Sequence, residues 1–300
     1  MNIEKSADVI PVGSLPPLQI AVLVTSHNRR DITVRAIRAL EQARHVADLL
    51  IILLDDGSTD GTADAVAAIS PQTTILRGSG DNFWNGGLHK AWKHALTLNV
   101  DAFLWLNDDV LLDADGLNRL VVQHGRLRAS LGHDRFILAG ATRDAAGRLT
   151  YSGKRWHASP WSFRLDIVEP DAADVRAIDT FNGNIVLVPQ AVVDVIGIND
   201  SAFLHNLGDY DYGLRASRRG IDVLLMPGTL GICEANNRKR NGNYGAPGLP
   251  LSEQWKLVNT HRGVPFRDWW RITRRFSGAW LPFHFLLPYR WLVLPRRGRS

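Results

Sequence analysis

Three short stretches of this chain carry acids at a spacing that could do chemistry. Asn107-Asp-Asp109 follows directly on the apolar run Phe103-Leu-Trp-Leu106, and Asp55-Asp-Gly-Ser-Thr-Asp-Gly-Thr62 follows a second apolar run at 49–54. The third is Leu207-Gly-Asp-Tyr-Asp-Tyr-Gly-Leu214. Carboxylates at the carboxyl end of a buried strand lie beside the crevice in which open α/β sheets hold their ligands. Adjacent hard oxygens suit Mg2+ or Mn2+, which take one or two carboxylates and leave other positions to substrate phosphates. We read residues 107–109 as a metal and diphosphate site, and the Asp55 segment as a place where a carboxylate can accept a nucleobase N–H. The same residues also have an account without ligands. Asn, Asp and Gly favour turns, Ser, Thr and Asp cap helices, and Asp209 and Asp211 suit the N-terminus of a helix through its dipole.

The elements that would position these stretches alternate. A β-branched run at 20–24 ends in the polar Thr25-Ser-His-Asn28; Asp31 offers an N-cap, and Val34, Ile37 and Leu40 recur at helical spacing before the run at 49–54. A helix at 63–69, a strand at 73–76, a helix marked by Leu88, Ala91, Trp92 and Ala95, and the Phe103 strand continue the cycle. Beyond Asp113 we expect a helix through Leu120 and Val121, a strand at 136–139 and a hairpin at 147–153. A strand after Phe181-Asn-Gly-Asn184, a helix running to about Arg219 and a strand at 221–225 that turns at Pro227-Gly228 complete this part. Such alternation implies an α/β fold, a mostly parallel sheet with helices on both faces and right-handed crossovers. No G-x-G-x-x-G follows the first strand and no G-x-x-x-x-G-K-[ST] occurs, so dinucleotide and P-loop readings lose their main support.

In this order and spacing, Thr25-Ser-His-Asn28, the octapeptide at Asp55 and Asn107-Asp-Asp109 resemble the three signatures of glycosyltransferase family 2, whose fold is GT-A. The resemblance covers roughly residues 20–235 and is nearest to the bacterial rhamnosyl- and galactofuranosyl-transferring branch. It implies that Thr25, His27, Asn28, Asp56, Asp108 and Trp84 bind a nucleotide-diphospho-sugar. Asp56 would meet the base, Asp108 would reach toward ribose, and Asp109 would hold the divalent cation. His27 stands where tyrosine is common. The glycine-rich Gly80-Asp-Asn-Phe-Trp-Asn-Gly-Gly87 resembles loops that face the donor sugar, where an indole can pack on a sugar ring; a Trp closing the core under a turn is the other account. Asn184 matches a segment flanking the acceptor pocket, although Asn-Gly is also a common turn dipeptide. Asp209 matches the general base, with Gly208 where an acid is usual, and direct attack by the acceptor hydroxyl would invert the anomeric carbon. Asp211 is then a capping or acceptor-orienting residue. Many relatives place a histidine ligand after the next strand; here Cys233 and Glu234 stand at about that place. A thiolate suits Zn2+ better than Mg2+, so we expect Cys233 as an apolar filler or Glu234 as the substitute.

Composition bounds the setting. The chain has 300 residues, 45% hydrophobic, and a single cysteine, which excludes an internal disulfide framework and fits a reducing compartment. Residues 1–18, with Pro11, Pro16 and Pro17 and no sustained apolar run, are expected to form a loose arm. A catalytic domain at 19–240, divided into a donor half (19–115) and an acceptor half (116–240), would precede a basic, aromatic extension at 241–300. Its apolar run at 278–289 is broken by Pro282, His284 and Pro288 and is too short to span a bilayer, which needs about 20 residues. With Arg274, Arg275, Arg290, Arg296, Arg297 and Arg299 beside its aromatics, this segment fits either an anionic membrane surface or a helical pair packed on the domain or a second subunit. The arginines track apolar runs and no polar groove, which argues against nucleic acid. The expectation is an inverting, metal-dependent transferase using a dTDP- or UDP-sugar and a glycan or lipid-linked acceptor in cell-surface polysaccharide synthesis. Its place would be cytoplasmic, peripheral at the inner face of the plasma membrane. A catalytically silent sugar-nucleotide-binding or membrane scaffold subunit, and a nucleotidyltransferase, remain alternatives; Ser26-His-Asn-Arg-Arg30 lacks the glycines of the latter's loop.

Overall fold

The computed structural model describes residues 18–159, 161–203, 205–235, 250–260 and 263–290. Residues 1–17 of the expected arm, residues 236–249 across the expected boundary at 240, and Arg296, Arg297 and Arg299 lie outside the described residues. β1 (Gln19–Ser26), β2 (Asp48–Asp55), β3 (Thr74–Arg77) and β4 (Ala102–Leu106) are linked by α1 (Arg30–Gln42), α2 (Thr62–Ile69) and α3 (Phe83–Ala95). β5 (Leu111–Leu112), α4 (Gly116–Leu131), β6 (Phe136–Arg143), β7 (Leu149–Tyr151), β8 (Gly153–Ser159) and β9 (Ser162–Ile167) follow. Next come β10 (Arg176–Ala177), β11 (Thr180–Phe181), β12 (Ile185–Pro189), α5 (Gln190–Ile196), α6 (Gly208–Arg218) and β13 (Asp222–Ile232). α7 (Leu251–Val258), α8 (Phe266–Phe276) and α9 (Leu281–Leu286) complete the described chain.

The main sheet runs β10-β13-β6-β12-β4-β1-β2-β3, with β5 paired to β13 and β7 to β6. Its strands are apolar on both faces because both are covered. In β1, Ile20, Val22 and Val24 pack with Ile37 and Leu40 of α1 and Leu117 and Leu120 of α4, whereas Ala21 and Leu23 face Leu88 and Trp92 of α3 and Tyr212 of α6. Each large apolar side chain so buried is worth about 1.5–3 kcal/mol against leaving it in water. β1 lies parallel to both β2 and β4. The chain therefore steps outward from β1 to β3 and returns to β1's other side, and ligand crevices form at the strand ends beside such a reversal.

Four details depart from the expected elements. β12 is inserted antiparallel between β4 and β6, which sets Ile185 beside Leu106 and brings Asn184 to the end of β4. The expected turn at Pro227-Gly228 is a bulge within β13, where the register against β6 shifts between Leu225 and Thr229. Proline has no N–H for the ladder, Gly228 takes φ 61°, and Arg119 of α4 donates to the Pro227 and Thr229 carbonyls. β13 then continues until Ile232 pairs with Leu111, so Cys233 arrives beside the β4–β5 turn. The N-cap position of α1 is Arg29, and Asp31 sits within its first turn. α3 begins at Phe83, inside the expected glycine-rich loop.

The carboxyl-terminal helices share a core with the rest. Phe203, Leu214 of α6 and Ile272 and Phe276 of α8 form one buried cluster, joined by Trp156 and Phe163 of the β8–β9 hairpin and by Trp269. Of the placements expected for this segment, packing on the catalytic domain holds for α8.

Candidate active site

The polar ends of β1 and β4 meet at the sheet's reversal. Asp108 is buried, and its Oδ1 accepts from Arg29 Nη1 at 2.9 Å; Asp109 Oδ2 accepts from Arg29 Nη2 at 2.8 Å. One guanidinium thus bridges both acids. The second oxygen of Asp108, Oδ2, is buried without a hydrogen-bond partner among the described residues. The Ser26 and Thr33 hydroxyls, bonded to each other at 2.7 Å, sit near enough to favour its charged form without giving Oδ2 a well-formed bond. Burial outweighs these hydroxyls and the Arg29 charge, and pushes the Asp108 pKa up to about 6. Burial alone would lower the Arg29 pKa, and the two carboxylates more than reverse it.

Two adjacent carboxylates, one with an oxygen lacking a donor, fit a hard divalent cation. Among the described residues no group of three or more His, Cys, Asp or Glu side chains could hold a metal ion. A cation held by these two acids would take its remaining ligands from water or from phosphate oxygens.

Cys233 lies where the resemblance expects a histidine. Its Sγ is 3.4 Å from Asp109 Oδ1 and 3.5 Å from Asn184 Nδ2. Burial first, and the Asp109 charge second, hold the thiol protonated far above its usual range. It is a small buried filler that donates weakly to Asp109. Glu234 is turned away: its Oε1 accepts from the Ala145 N–H in the β6–β7 connection at 2.9 Å, so it does not stand in for the histidine. Asn184 is likewise buried toward Cys233, and its carbonyl accepts from Asn107 N–H at 3.1 Å.

On the base side, Asp56 is buried and its carboxylate is filled from within the chain. Oδ1 accepts from Gly80 N–H at 2.9 Å and from the Asn82 amide, and Oδ2 from the Asn82 and Phe83 N–H groups at 2.9 and 3.1 Å. Gly78 makes this possible, because an added Cβ would strike the Asp56 side chain. The geometry gives Asp56 the task of holding the 80–83 loop, and acceptance of a nucleobase N–H would have to replace one of these four bonds. His27 is exposed at the crevice mouth; its Nδ1 lies 2.6 Å from the Asp56 carbonyl and its Nε2 3.1 Å from Asn28 Nδ2. Asn28, at φ 50°, joins the loops by accepting from Thr59 N–H at 2.8 Å. Thr25 Oγ1 is buried without a hydrogen-bond partner among the described residues.

Trp84 and Asp209 connect the two halves. Trp84 Nε1 donates to Asn107 Oδ1 at 2.7 Å, and its ring packs edge-on to Trp105 and so close to Gly183 that no side chain fits there. The Gly183 N–H donates to Asp209 Oδ2 at 3.1 Å, and the Tyr210 N–H to Oδ1 at 2.9 Å. Asp209 keeps partial exposure, yet the atoms crowding its carboxylate outweigh both donors and raise its pKa to about 6. Asn182 and Tyr210, hydrogen-bonded at 3.1 Å, flank it. α6 can begin here because Gly208 lacks a side chain: a Cβ would overlap Asn85, whose amide donates to the Asp200 and Phe203 carbonyls at 2.8 Å. An acid at this position is sterically excluded.

Asp211, expected as a capping or acceptor-orienting residue, is engaged by two arginines. It is fully buried, paired with Arg215 at 2.9 Å and with Arg275 of α8 at 2.6 Å, and so faces the carboxyl-terminal helix. Arg29, Asn82, Asn85, Asn182 and Tyr210 were not singled out from the sequence. For Arg29 a signal existed, since two arginines end the loop after a strand whose neighbour ends in two acids.

No curated protein sequence matches the chain. Its fold is shared with the mannosyltransferase PcManGT from Pyrobaculum calidifontis in complex with GDP-Man and Mn2+, at TM-score 0.54 and 14% identity over 97% of this chain and 74% of that one. It is also shared with GalNAc-T7 with UDP, GalNAc and Mn2+, at 0.54 and 11% over 92% and 56% of the two chains. S. aureus TarS 1-349 in complex with UDP-GlcNAc gives 0.52 and 10% over 81% and 65%. The chain thus spans only part of these proteins, and at such identities the likeness is one of fold, GT-A. Residues 21–164 match the family described as Glycosyl transferase family 2, and they contain the ends of β1, β2 and β4 and the loop that Asp56 holds. The chain is built on a GT-A fold, and the part of it that holds these strand ends matches glycosyl transferase family 2.

Proposed function

We propose that the protein transfers a sugar from a nucleotide-diphospho-sugar to a hydroxyl of a glycan or lipid-linked acceptor, with inversion, in cell-surface polysaccharide synthesis. The observation that carries this reading is the pairing of two kinds of acid across one crevice. Asp108 and Asp109 present hard oxygens at the sheet's reversal, and Asp209, with a pKa near 6, stands across Trp84 and Gly183 from them. Asp209 accepts the acceptor's proton as the oxygen attacks the anomeric carbon, and the nucleoside diphosphate leaves from the opposite face. A base of that pKa is largely ionised at neutral pH and retains affinity for the proton. Asp109, with Asp108 beside it, would hold a divalent cation, which when bound neutralises the charge developing on the leaving diphosphate. Trp84, fixed by Asn107, would pack on the donor sugar, and His27 would lie on the base side.

We also infer a peripheral contact with an anionic membrane. Among the described residues no helix is long and apolar enough to cross a bilayer. The surface of 250–290 instead exposes Trp255, Phe266, Trp270, Trp280 and Phe283 beside basic side chains.

The reading is tested by screening UDP-, dTDP- and GDP-sugars for thermal stabilisation with and without Mn2+, followed by turnover with the stabilising donor. A ligand that binds only the folded state raises its stability by mass action. Cation-dependent stabilisation and an inverted product are expected. Binding without turnover on any acceptor would point to a silent subunit, and a retained anomeric configuration would remove Asp209 as base.

A further inference from the structure

We propose that Arg29 is an exchangeable cation of the donor site. It neutralises Asp108 and Asp109 while the donor is absent, and it yields them when a nucleoside diphosphate arrives with its divalent cation, the guanidinium turning to the diphosphate. The inference rests on the donor-site reading above and adds a residue and an order of events to it.

The geometry points to exchange. The two nitrogens of one guanidinium fork take one oxygen of each acid, at 2.9 and 2.8 Å. That is the space between the carboxylates that a cation shared by both would need. The like charges of the two acids lie side by side, and among the described residues Arg29 is the cation in ion-pair contact with both. Its side chain makes no other hydrogen bond or ion pair with a described residue and is 36% exposed, so it can leave toward water without uncovering the core. Its backbone stays fixed at the N-cap of α1, where its carbonyl accepts from the Thr33 N–H at 2.9 Å. The tether therefore keeps the displaced guanidinium at the crevice. Its planar fork matches phosphate oxygens as well as carboxylates.

Exchange predicts effects of opposite sign, which a merely structural ion pair does not. Removing Arg29 should strengthen divalent cation binding in the absence of donor, because the competitor is gone, and should weaken nucleoside diphosphate binding, because a phosphate ligand is gone. The probes are Mn2+ alone, titrated by electron paramagnetic resonance, and UDP or dTDP with saturating Mn2+, titrated by calorimetry. Arg29→Ala should bind Mn2+ about tenfold or more tighter than wild type, and nucleotide about tenfold or more weaker. Arg29→Gln, which keeps the side chain's length without its charge, should do the same should the alanine variant fold poorly; Arg29→Lys should fall between. Unchanged or weaker Mn2+ binding in the folded variants would overturn the proposal, as would unaltered nucleotide affinity. Asp109→Asn serves as the control for the site itself and should lose Mn2+-dependent nucleotide binding. Were neither nucleotide to bind, the proposed function would be in question, and the Mn2+ titration, which needs no nucleotide, would still decide the role of Arg29.

Discussion

Asp209 has to be ionised to accept a proton, and its surroundings set the pH at which that happens. With its pKa raised to about 6, activity should fall roughly tenfold for each pH unit below that value and level off above it. In the proposed reaction Asp109 and Asp108 act on the donor, so the pKa of Asp108, also about 6, should appear in donor affinity, and that of Asp209 in kcat. Asp209→Asn should lower kcat by about 10²–10⁴ with nucleotide affinity little changed, because proton transfer belongs to the chemical step. Equal nucleotide loss in that variant would place Asp209 in donor binding instead. Cys233 gives a second test. As a protonated filler, it should be replaceable by Ser with little change in Mn2+ dependence, whereas Cys233→His should tighten Mn2+ binding by setting a nitrogen beside Asp109 Oδ1. Loss of metal-dependent activity in a folded Cys233→Ser protein would make the thiol a ligand. These residues were legible because acids at strand ends and helix starts carry short motifs. The pairing of Arg29 was harder to read, because its partners lie 79 and 80 residues away and meet it only once β4 returns beside β1.

At the scale of elements, the strands were the most readable part, since runs apolar on both faces have few other uses. The direction of β12 was not, because direction depends on the path between strands, and nothing in Ile185-Val-Leu-Val188 encodes it. The start of α3 was misjudged for a related reason. Its glycines suggest a loop, but Gly87 is needed inside the helix, where it packs directly on Thr25 with no room for a side chain. α6 shows how one element serves two purposes: its first turn sets Asp209 against Gly183, and the buried face behind it sets Asp211 against Arg215 and Arg275. Asp211→Ala should leave two arginines facing a buried gap. Breaking a fully buried pair costs about 3–5 kcal/mol. Arg215 and Arg275 keep 24% and 34% of their side-chain surface exposed, so the expected loss is nearer about 2–3 kcal/mol. Urea unfolding measures it. If Asp211 oriented the acceptor instead, the variant would lose activity toward acceptor with its stability unchanged.

At the scale of the molecule, the remaining question is what the aromatic face at 250–290 meets. Scattered exposed apolar residues are ordinary, but these touch one another. Trp161, 73% exposed at the tip of the β8–β9 hairpin, meets Phe283 at 5.5 Å between ring centres, and Phe283 meets Trp280 at 6.2 Å. The described part of the segment holds six basic residues, Lys256, Arg267, Arg271, Arg274, Arg275 and Arg290, against the acids Glu253 and Asp268. Arg275 and Arg271 are already engaged by Asp200, while Lys256, Arg267 and Arg274 are exposed. Aromatic rings beside such charge suit the headgroup region of an anionic leaflet, where each basic residue near the surface contributes about 1 kcal/mol. Deleting the whole segment would be a poor test, because it would strip Arg275 from Asp211 and expose the core under α8. Replacing Trp161, Trp280 and Phe283 together with Ala removes this cluster of exposed rings and leaves that core alone. Sedimentation with vesicles containing anionic phospholipid should fall at least tenfold in this variant, Mn2+-dependent nucleotide binding should persist, and added salt should weaken the wild-type association by screening. Equal sedimentation of variant and wild type would refute the membrane contact, and a change in oligomeric state in its place would assign these rings to a second subunit.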